Sequence, residues 1–429
     1  MRILIATDHY PPFIGGAHRQ ARQLAAGMAE RGHDVAVATA WHGGMPSLDW
    51  EENVTVHRLR QMRTAIPWLI RDSEQRHQPP FPDPVTIVGL RRLIVNFEPD
   101  VIHAYGWLAF SVAVAMGRRR IPLLISARDY GYFCANRTLL RKGEPCSGPA
   151  PLKCLSCAAD YYGASKGLGA TAGVYMCKPL LARKMNGLHS VSTFVHDVTT
   201  RYLFGTEGAP PDLVQVTIPS FQETDPDDPV DFSDQEVRAI FERLPAEPFI
   251  LYVGAFRKVK GLETLFEAYG RIDSPPPLVL MGTYERDSPE NFPPEAIVFT
   301  DVPHAAVMAA WDRAMFGVMP SLWPEPFGAT VAEAMNRGRP VIGTTLGGHV
   351  DMIGTSAGIL VPQGDVDALE AAMTALIREP QRREEYGRAA AERARSFAAK
   401  SVIPRFEQAY DDVVAVGEGH DDLDISGPA

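Results

Sequence analysis

The sequence has 429 residues, which is too long for one ordinary hydrophobic core and predicts two or three domains. It is 45% hydrophobic and 22% charged, as is usual for globular proteins. Its net charge of -10 argues against a general nucleic-acid-binding protein. No apolar run reaches about 18 residues, so no membrane span is predicted. Residues 1–7 lack a cleavage-site pattern, and we therefore expect a cytoplasmic protein.

The first half of the chain alternates short apolar strands with amphipathic helices. An opening strand at residues 2–7 is followed by a helix at residues 16–31, whose apolar positions recur at helical spacing. Further strands are predicted at residues 35–39, 101–103, 123–126, 189–192 and 214–218. Such alternation, with nearly continuous apolar strands, is typical of a parallel sheet covered on both faces.

The second half repeats this pattern from residue 249 onward. A strand at 249–254 precedes a helix at 261–272, and later strands are predicted at 278–281, 297–300, 316–319, 340–344 and 358–361. The sequence therefore predicts an α/β fold with two tandem, doubly wound domains. Ligands of such sheets bind at the carboxyl ends of the strands, here in a crevice between the two halves.

The predicted boundaries follow from the segments that break the alternation. The two domains are placed at residues 1–219 and 220–400, with a polar, proline-punctuated junction between them. A helix at 401–416 would return toward the N-terminal domain, and the acidic tail at 417–429 is expected to be disordered. Residues 43–84 are expected to form an irregular surface loop, and residues 132–185 contain a cysteine-rich insert.

Three strand-to-helix turns contain residues suited to an anionic sugar compound. Gly15 and Gly16 precede the first helix, where glycines allow close approach and the helix N-terminus suits a diphosphate. The turn after the strand at 249–254 carries three basic residues, Arg257, Lys258 and Lys260. The alternative for the glycines is a plain strand-to-helix turn. The alternative for the three basic residues is a solvated loop.

The third turn contains two glutamates eight positions apart. Glu325 would precede a helix that contains Glu333, so both carboxylates could accept hydrogen bonds from sugar hydroxyls. The backbone N–H groups between them are free to meet an anion. The alternative interpretation makes Glu325 a capping acid and Glu333 an exposed helix residue.

Together these motifs resemble glycosyltransferase family 4, which consists of retaining enzymes with two Rossmann-like domains in the GT-B architecture. The resemblance spans nearly the whole chain, and the Glu-Pro-Phe-Gly stretch from Glu325 is its most specific part. It implies that the N-terminal domain binds the acceptor and the C-terminal domain binds a nucleotide-sugar donor. The implied donor-binding residues are Gly15, Gly16, Arg257, Lys258, Lys260, Val302, Phe327, Gly328, Ala329 and Glu333.

The same resemblance implies roles for individual side chains. Lys260 matches a phosphate-binding lysine, Glu333 the ligand of the donor ribose, and Glu325 the glutamate at the transferred sugar. Glu325, His103 and Arg128 are the predicted catalytic residues. Arg128 stands where many members have histidine, and arginine cannot act as a base at neutral pH but can bind a charged group. Ala255 also replaces a common arginine, so Arg257 or Lys258 would supply that charge.

Four cysteines form a separate cluster in the insert. Cys134 and Cys146 precede a C-x-x-C pair, Cys154 and Cys157, which favours a structural zinc or an iron–sulfur site. Free buried thiols and disulfides are the alternatives, and Cys177 is interpreted as a lone thiol. Such a metal would order the insert, while sugar transfer itself requires no cofactor in this interpretation.

The predicted reaction is retaining sugar transfer from a nucleoside-diphosphate sugar, with uridine diphosphate the commonest nucleotide among relatives. The acceptor can be a small molecule, a glycan or a lipid-linked compound, and nucleic acid is not an expected partner. Peripheral contact with the inner face of the membrane is compatible with this prediction. The rival predictions are a sugar-nucleotide epimerase and a metal-bearing binding protein with a vestigial site.

Overall fold

The computed structural model describes residues 1–11, 16–65, 78–221 and 229–423, which form two compact α/β units. The N-terminal unit consists of Met1–Leu139, Cys146–Ile218 and the chain from Ile403 onward. The C-terminal unit consists of Leu140–Pro145 and Pro219–Val402. Among the described residues, no helix is both long enough and apolar enough to cross a membrane.

The N-terminal unit is built on an eight-stranded sheet. Its strand order is β10-β9-β6-β5-β1-β2-β4-β3, and all neighbours are parallel except β3 and β4. The first strands and helices are β1 (Arg2–Ala6), α1 (Gly16–Glu30), β2 (Asp34–Ala40), β3 (Leu48–Glu51), β4 (Val54–Leu59), α2 (Met62–Ala65), α3 (Pro84–Phe97), β5 (Val101–Tyr105), α4 (Leu108–Ala115) and β6 (Leu123–Ala127). The remainder are α5 (Pro151–Tyr162), α6 (Ala164–Lys184), β9 (Gly187–Ser190), α7 (Thr193–Phe204) and β10 (Val214–Thr217). The hairpin of β7 (Leu140–Arg141) and β8 (Glu144–Pro145) precedes α5 in the sequence and belongs to the C-terminal unit.

The C-terminal unit contains a six-stranded sheet in which every neighbouring pair is parallel. Its strand order is β13-β12-β11-β14-β15-β16, so strands are added toward one edge from β11 to β13 and toward the other edge from β14 onward. We call the position between β11 and β14, where this direction changes, the reversal point. Its elements are α8 (Gln235–Glu242), β11 (Phe249–Val253), α9 (Leu262–Gly270), β12 (Leu278–Gly282), β13 (Ile297–Thr300), α10 (His304–Arg313), β14 (Ala314–Val318), α11 (Ala329–Asn336), β15 (Val341–Thr344), α12 (His349–Ile353), β16 (Gly358–Val361), α13 (Val366–Arg378) and α14 (Pro380–Ala394). This order is that of a doubly wound sheet, whose ligands bind at the reversal point.

A long last helix, α15 (Ala399–Leu423), follows the second unit. From Ile403 it packs with the N-terminal unit, where Glu407 accepts hydrogen bonds from Arg31 and pairs with His33 at 2.8 Å. The helix continues through residues 417–423, which the sequence interpretation placed in a disordered tail. The expected disorder of the tail stays a prediction.

The segment at residues 43–84 also differs from its prediction as an irregular loop. It contains β4, an inner strand that pairs in parallel with β2 over six residues. Its side chains alternate between buried and half-buried positions, starting with Val54 and Val56 on the buried side. Arg58 is buried on the same side and pairs with Asp49 at 3.1 Å, which compensates its charge. Alternation of this kind is the signature of a half-buried strand.

Candidate functional site

The two turns at the reversal point of the C-terminal sheet are held against each other. A single 3-10 turn, Lys258–Lys260, follows β11, and the chain after β14 donates from Leu322 N–H to the Val259 carbonyl over 2.9 Å. Gly261 directly follows Lys260 and has a φ of 75°. A Cβ atom there would come within 1.9 Å of the Pro320 carbonyl oxygen, so this close approach requires glycine.

An ion pair joins the two turns. The Lys260 ammonium donates to Oε1 of Glu325, and the Ser321 hydroxyl donates to the same oxygen over 3.2 Å. The lysine nitrogen also lies 5.1 Å from the centre of the Trp323 ring. Because the Glu325 side chain is 12% exposed and the Lys260 side chain 26% exposed, water screens this pair less than it screens a surface pair.

The helix that follows Glu325 opens without a side-chain cap. Gly328 is the N-cap of α11, at φ of 121°, and no side chain accepts from the first N–H groups of the helix. The first N–H groups of an α-helix have no acceptor within the helix and carry its positive dipole end. Gly328, Ala329 and Thr330 line the same pocket as Lys260, so these donors lie beside the lysine.

His349, which follows β15, also lines this pocket. Its ring is 2% exposed, and the N–H of Thr344 donates to its Nδ1 over 3.4 Å. Burial lowers the pKa of His349 to about 4, with Glu325 acting in the opposite direction and Lys260 in the same one. The ring is therefore neutral near pH 7, and because Nδ1 accepts, the proton lies on Nε2. His349 thus offers an N–H donor to the pocket.

These groups surround one pocket of about 240 Å³. Its wall combines one cation, one carboxylate, a neutral histidine and a helix N-terminus, which suits a ligand with both an anionic part and hydroxyl groups. The lining residues are Tyr252, Val253, Gly254, Lys260, Met319, Ser321, Glu325, Gly328, Ala329, Thr330 and His349.

Some residues of the predicted donor site lie elsewhere in the unit. Arg257 pairs with Asp287 at 3.0 Å and Lys258 with Glu263 at 3.5 Å, and neither basic side chain lines the pocket. Both side chains are exposed, whereas the Lys260 side chain from the same loop lines the pocket.

The remaining predicted donor residues lie in three different settings. Glu333 contacts His304 at 3.1 Å and is mostly buried. Phe327 is buried against Phe397, and Val302 follows β13 in a half-buried position. None of these three side chains lines the 240 Å³ pocket.

Both units match models of glycosyltransferase families. Residues 15–198 match the glycosyl transferase 4-like domain, and residues 233–393 match glycosyl transferases group 1. A glycogen synthase of Mycobacterium tuberculosis is 24% identical over 96% of this chain and 94% of its own length. The chain is a glycosyltransferase with the GT-B fold.

Solved structures agree with this architecture. Sucrose-phosphate synthase from Thermosynechococcus elongatus superimposes with a TM-score of 0.69 at 20% identity, over 96% of the glycosyltransferase and 100% of that chain. HepE from Anabaena, crystallised in complex with UDP-glucose, superimposes with a TM-score of 0.64 at 15% identity, over 95% and 99% of the two chains. The two-domain α/β fold predicted from the sequence is confirmed.

His103 of the glycosyltransferase lies in the core of the N-terminal unit and is fully buried. The Ile218 carbonyl accepts from Nε2 of His189 over 2.8 Å, so Nδ1 of His189 accepts from the Ser126 hydroxyl over 2.6 Å. Ser126 in turn accepts from Nε2 of His103 over 2.6 Å, and Nδ1 of His103 accepts from Tyr410 over 2.8 Å. Both ring nitrogens of His103 are engaged in this chain of hydrogen bonds, which leaves no atom of the ring to meet a substrate.

Electrostatics agree with neutral rings throughout this network. Burial lowers the pKa of His103 well below its usual value, with contributions from His189 and from the Arg128 charge. Burial also lowers the pKa of His189 to about 3. Arg128, predicted as catalytic, is half-buried beside this core, and its charge interacts with that of Asp129.

The reversal point of the N-terminal sheet holds a buried carboxylate that the sequence interpretation missed. Asp8 follows β1 and accepts from the N–H groups of Trp107 and Leu108 over 3.1 and 2.7 Å, which caps α4. Arg137 lies 3.4 Å from Asp8 and 2.6 Å from Asp129. Gly16 begins α1, whereas Gly15 lies outside the described residues.

The cysteines of the insert have local hydrogen-bond partners. Cys134 donates to Asn136 over 2.9 Å, and the amide of Asn136 donates to Cys157 over 3.4 Å. Cys154 accepts from the Ala150 N–H over 3.3 Å, and Cys146 lies 3.6 Å from a backbone carbonyl. Across the described ranges, no three or more His, Cys, Asp or Glu side chains are grouped to hold a metal ion. The zinc or iron–sulfur assignment stays a prediction.

Proposed function

We propose that the chain is a retaining glycosyltransferase whose donor is a nucleoside-diphosphate sugar, with uridine diphosphate as the leaving group. The observation that carries this proposal is the placement of Lys260, Glu325 and the uncapped α11 N-terminus in one pocket at the reversal point. HepE, which has the same fold, was crystallised with UDP-glucose. The glycosyltransferase families matched by both units support sugar transfer as the reaction class.

Lys260 and the helix amides would bind the diphosphate. In the free enzyme, the Lys260 ammonium is neutralised by Glu325. An entering diphosphate carries more negative charge than one carboxylate, and it would draw the ammonium away from Glu325. The N–H groups at Gly328, Ala329 and Thr330 lie in the same wall and would share the phosphate oxygens. Charge that develops on the leaving group would then meet donors that are already in place.

Glu325 and His349 would contact the transferred sugar. Once Lys260 has turned to the phosphate, the Glu325 carboxylate can accept from sugar hydroxyls, while Ser321 continues to hold its orientation. The Nε2–H of His349 would donate to a hydroxyl or phosphate oxygen. Glu333 would accept from the ribose hydroxyls and Val302 would lie near the base, as the family resemblance implies. The departing phosphate oxygen would accept the acceptor proton, so transfer requires no divalent cation in this proposal.

A thermal-shift screen of UDP-, ADP- and GDP-linked sugars tests donor binding. A ligand at about 100 times its dissociation constant should stabilise the protein by about 2.7 kcal/mol. The anomeric configuration tests the retaining assignment without a known acceptor. Proton NMR of slow UDP-glucose hydrolysis should show α-glucose as the first product, because the sugar in the donor is α-linked. First formation of β-glucose would contradict retention, and the absence of any nucleotide-dependent shift would contradict the donor class.

A further inference from the structure

A second pocket lies wholly within the N-terminal unit. It has a volume of about 260 Å³, near the lower end of the roughly 300–1,000 Å³ that is usual for small-molecule sites. Its walls come from the chain around β4 and α3, the start of α4, and helices α5 and α6. They include the rings of Phe81, Trp107 and Tyr162 together with Pro79 and Pro80. Such a wall favours contact with an apolar or aromatic body.

Two buried carboxamides also line this pocket. Gln61 is 0% exposed and Gln78 is 2% exposed. Neither the oxygen nor the nitrogen of either side chain has a hydrogen-bond partner within the part of the chain that the structure describes. Buried polar side chains in folded proteins are nearly always paired, because an unmade hydrogen bond costs stability. Four polar atoms without a protein partner at one pocket therefore indicate that a ligand completes them.

The other polar groups at the pocket already have protein partners. The Asp83 carboxylate accepts from the N–H groups of Met62 and Thr86, both over 2.9 Å. The Trp107 indole donates to a backbone carbonyl over 2.8 Å, and the Tyr162 hydroxyl donates to another over 3.2 Å. These bonds fix the rings and the carboxylate in place. Among the described residues, the buried lining atoms without a hydrogen-bond partner belong to the two neutral carboxamides, and the lining also includes the cationic side chains of Arg63 and Lys166.

We infer that this pocket binds an amphiphile, with hydroxyl groups attached to an apolar or aromatic body. A carboxamide both donates and accepts hydrogen bonds, and a hydroxyl group does the same, so Gln61 and Gln78 match hydroxyl groups in both roles. The apolar body would lie against Trp107, Tyr162 and Phe81. This binding chemistry rests on the pocket alone.

Titration with two matched glucosides tests the binding chemistry. Phenyl β-D-glucopyranoside carries both hydroxyl groups and an aromatic ring, whereas methyl β-D-glucopyranoside lacks the ring. Calorimetry or saturation-transfer NMR should detect saturable binding of the phenyl compound and at least about tenfold weaker binding of the methyl compound. No saturable binding of the phenyl compound, or equal affinity for both, would overturn the inference.

Near-isosteric variants separate a binding role from a structural one. Gln61→Leu and Gln78→Leu should each weaken phenyl glucoside binding by about tenfold, the loss of one hydrogen bond, with an unchanged or raised melting temperature. Gln363→Leu is the control, because the Gln363 nitrogen also lacks a partner but lies in the C-terminal unit outside this pocket. Unchanged affinity in both pocket variants would overturn the inference, and so would a lowered melting temperature in both, which would make the carboxamides part of the fold.

Donor binding distinguishes this inference from the proposed function. UDP-glucose should bind Gln61→Leu and wild type with equal affinity, because Gln61 lies outside the donor pocket. If the wild type binds the phenyl glucoside but no nucleotide sugar, the proposed function fails and the second pocket stands as a binding site. If it binds UDP-glucose but neither glucoside, the inference fails and the proposed donor site stands.

Discussion

Buried histidines in the two units have different surroundings. His103 and His189 lie in a closed network in which the ring nitrogens have protein partners. His349 has a protein partner at Nδ1, and its ring lines a pocket. Burial lowers the pKa of all three rings, so low pKa values do not distinguish them. What distinguishes His349 from the other two is that its ring lines a pocket.

A similar contrast, between an exposed group and a buried one at a pocket, applies to two lysine–glutamate pairs whose lysines lie in the same turn. The Lys258–Glu263 pair is exposed, whereas the Lys260–Glu325 pair is largely buried and lies in the pocket wall. Exposed ion pairs contribute little to stability or to chemistry. In a desolvated pair, the two charges are held where an entering ligand can replace one partner of the pair. Substituting one glutamate from each pair, Glu325 and Glu263, therefore tests whether the buried pair and the exposed pair differ in function.

The largest effect is expected from Glu325→Gln. This variant keeps the side-chain shape but removes the carboxylate that contacts Lys260 and would contact the sugar. We expect kcat/KM for sugar transfer to fall by at least about 100-fold, the usual cost of one electrostatic contact to the transition state. Glu263→Gln is the matched control and should stay within about twofold of wild type. Similar rates for both variants would remove Glu325 from the site.

A second effect concerns the closed histidine network. The pKa of His189 is about 3 in the folded protein, below its usual value of 6.5, so the unfolded state binds more protons as the pH falls. The stability that the neutral ring contributes is complete above about pH 6.5 and is lost toward pH 3. Lowering the pH from 7 to 5 should cost about 2 kcal/mol through His189. Urea unfolding at both pH values should show a correspondingly smaller loss in His189→Asn, and an equal loss would contradict the assigned neutral ring.

A smaller effect is expected at His349. His349→Phe removes the Nε2–H donor, and we expect the KM for the donor to rise about tenfold while kcat changes little. His349→Gln places an amide N–H near the same position and should retain most of the affinity. Because the pKa of His349 is about 4, its variants should not change the pH profile between pH 6 and 9. Equal losses in the Phe and Gln variants would mean that the ring acts through packing alone.

The smallest effect is expected at Arg257. Its exposed pair with Asp287 lies outside the pocket, so Arg257→Ala should change kcat/KM by no more than about twofold and unfolding free energy by less than about 1 kcal/mol. Steady-state kinetics and urea unfolding check both values. A loss above tenfold would restore the phosphate-binding role that the sequence interpretation gave to Arg257.

The sequence predicted which residues meet at the reversal point where topology alone decides their positions. Lys260 and Glu325 follow β11 and β14, and the carboxyl ends of adjacent parallel strands meet at one edge. Topology does not decide which side chain of a loop faces the pocket. Arg257, Lys258 and Lys260 are close in one loop, and Lys260 contacts Glu325 where Gly261 approaches Pro320 and Leu322 donates to Val259. No periodicity in the sequence carries that information.

Burial explains the other differences. His103 lies in the middle of β5 rather than at a strand end, and its partners Ser126 and Tyr410 are 23 and 307 positions away in the sequence. His349 follows Gly347 and Gly348 after a strand, a pattern that resembles the glycine turn before α1 and could have identified it. Strand β4 was missed although its alternating pattern was present, because the surrounding Pro- and Arg-rich composition outweighed it.

Whether the pocket at the reversal point binds a nucleotide sugar can be measured by calorimetric titration of the intact protein with UDP-glucose. We expect binding of one molecule per chain, at least about tenfold weaker in Lys260→Ala and unchanged in Lys258→Ala. If neither UDP, ADP, GDP nor their glucose derivatives bind the wild-type protein, the pocket at the reversal point is not a nucleotide-sugar site. Equal affinity in the two lysine variants would contradict the role of Lys260.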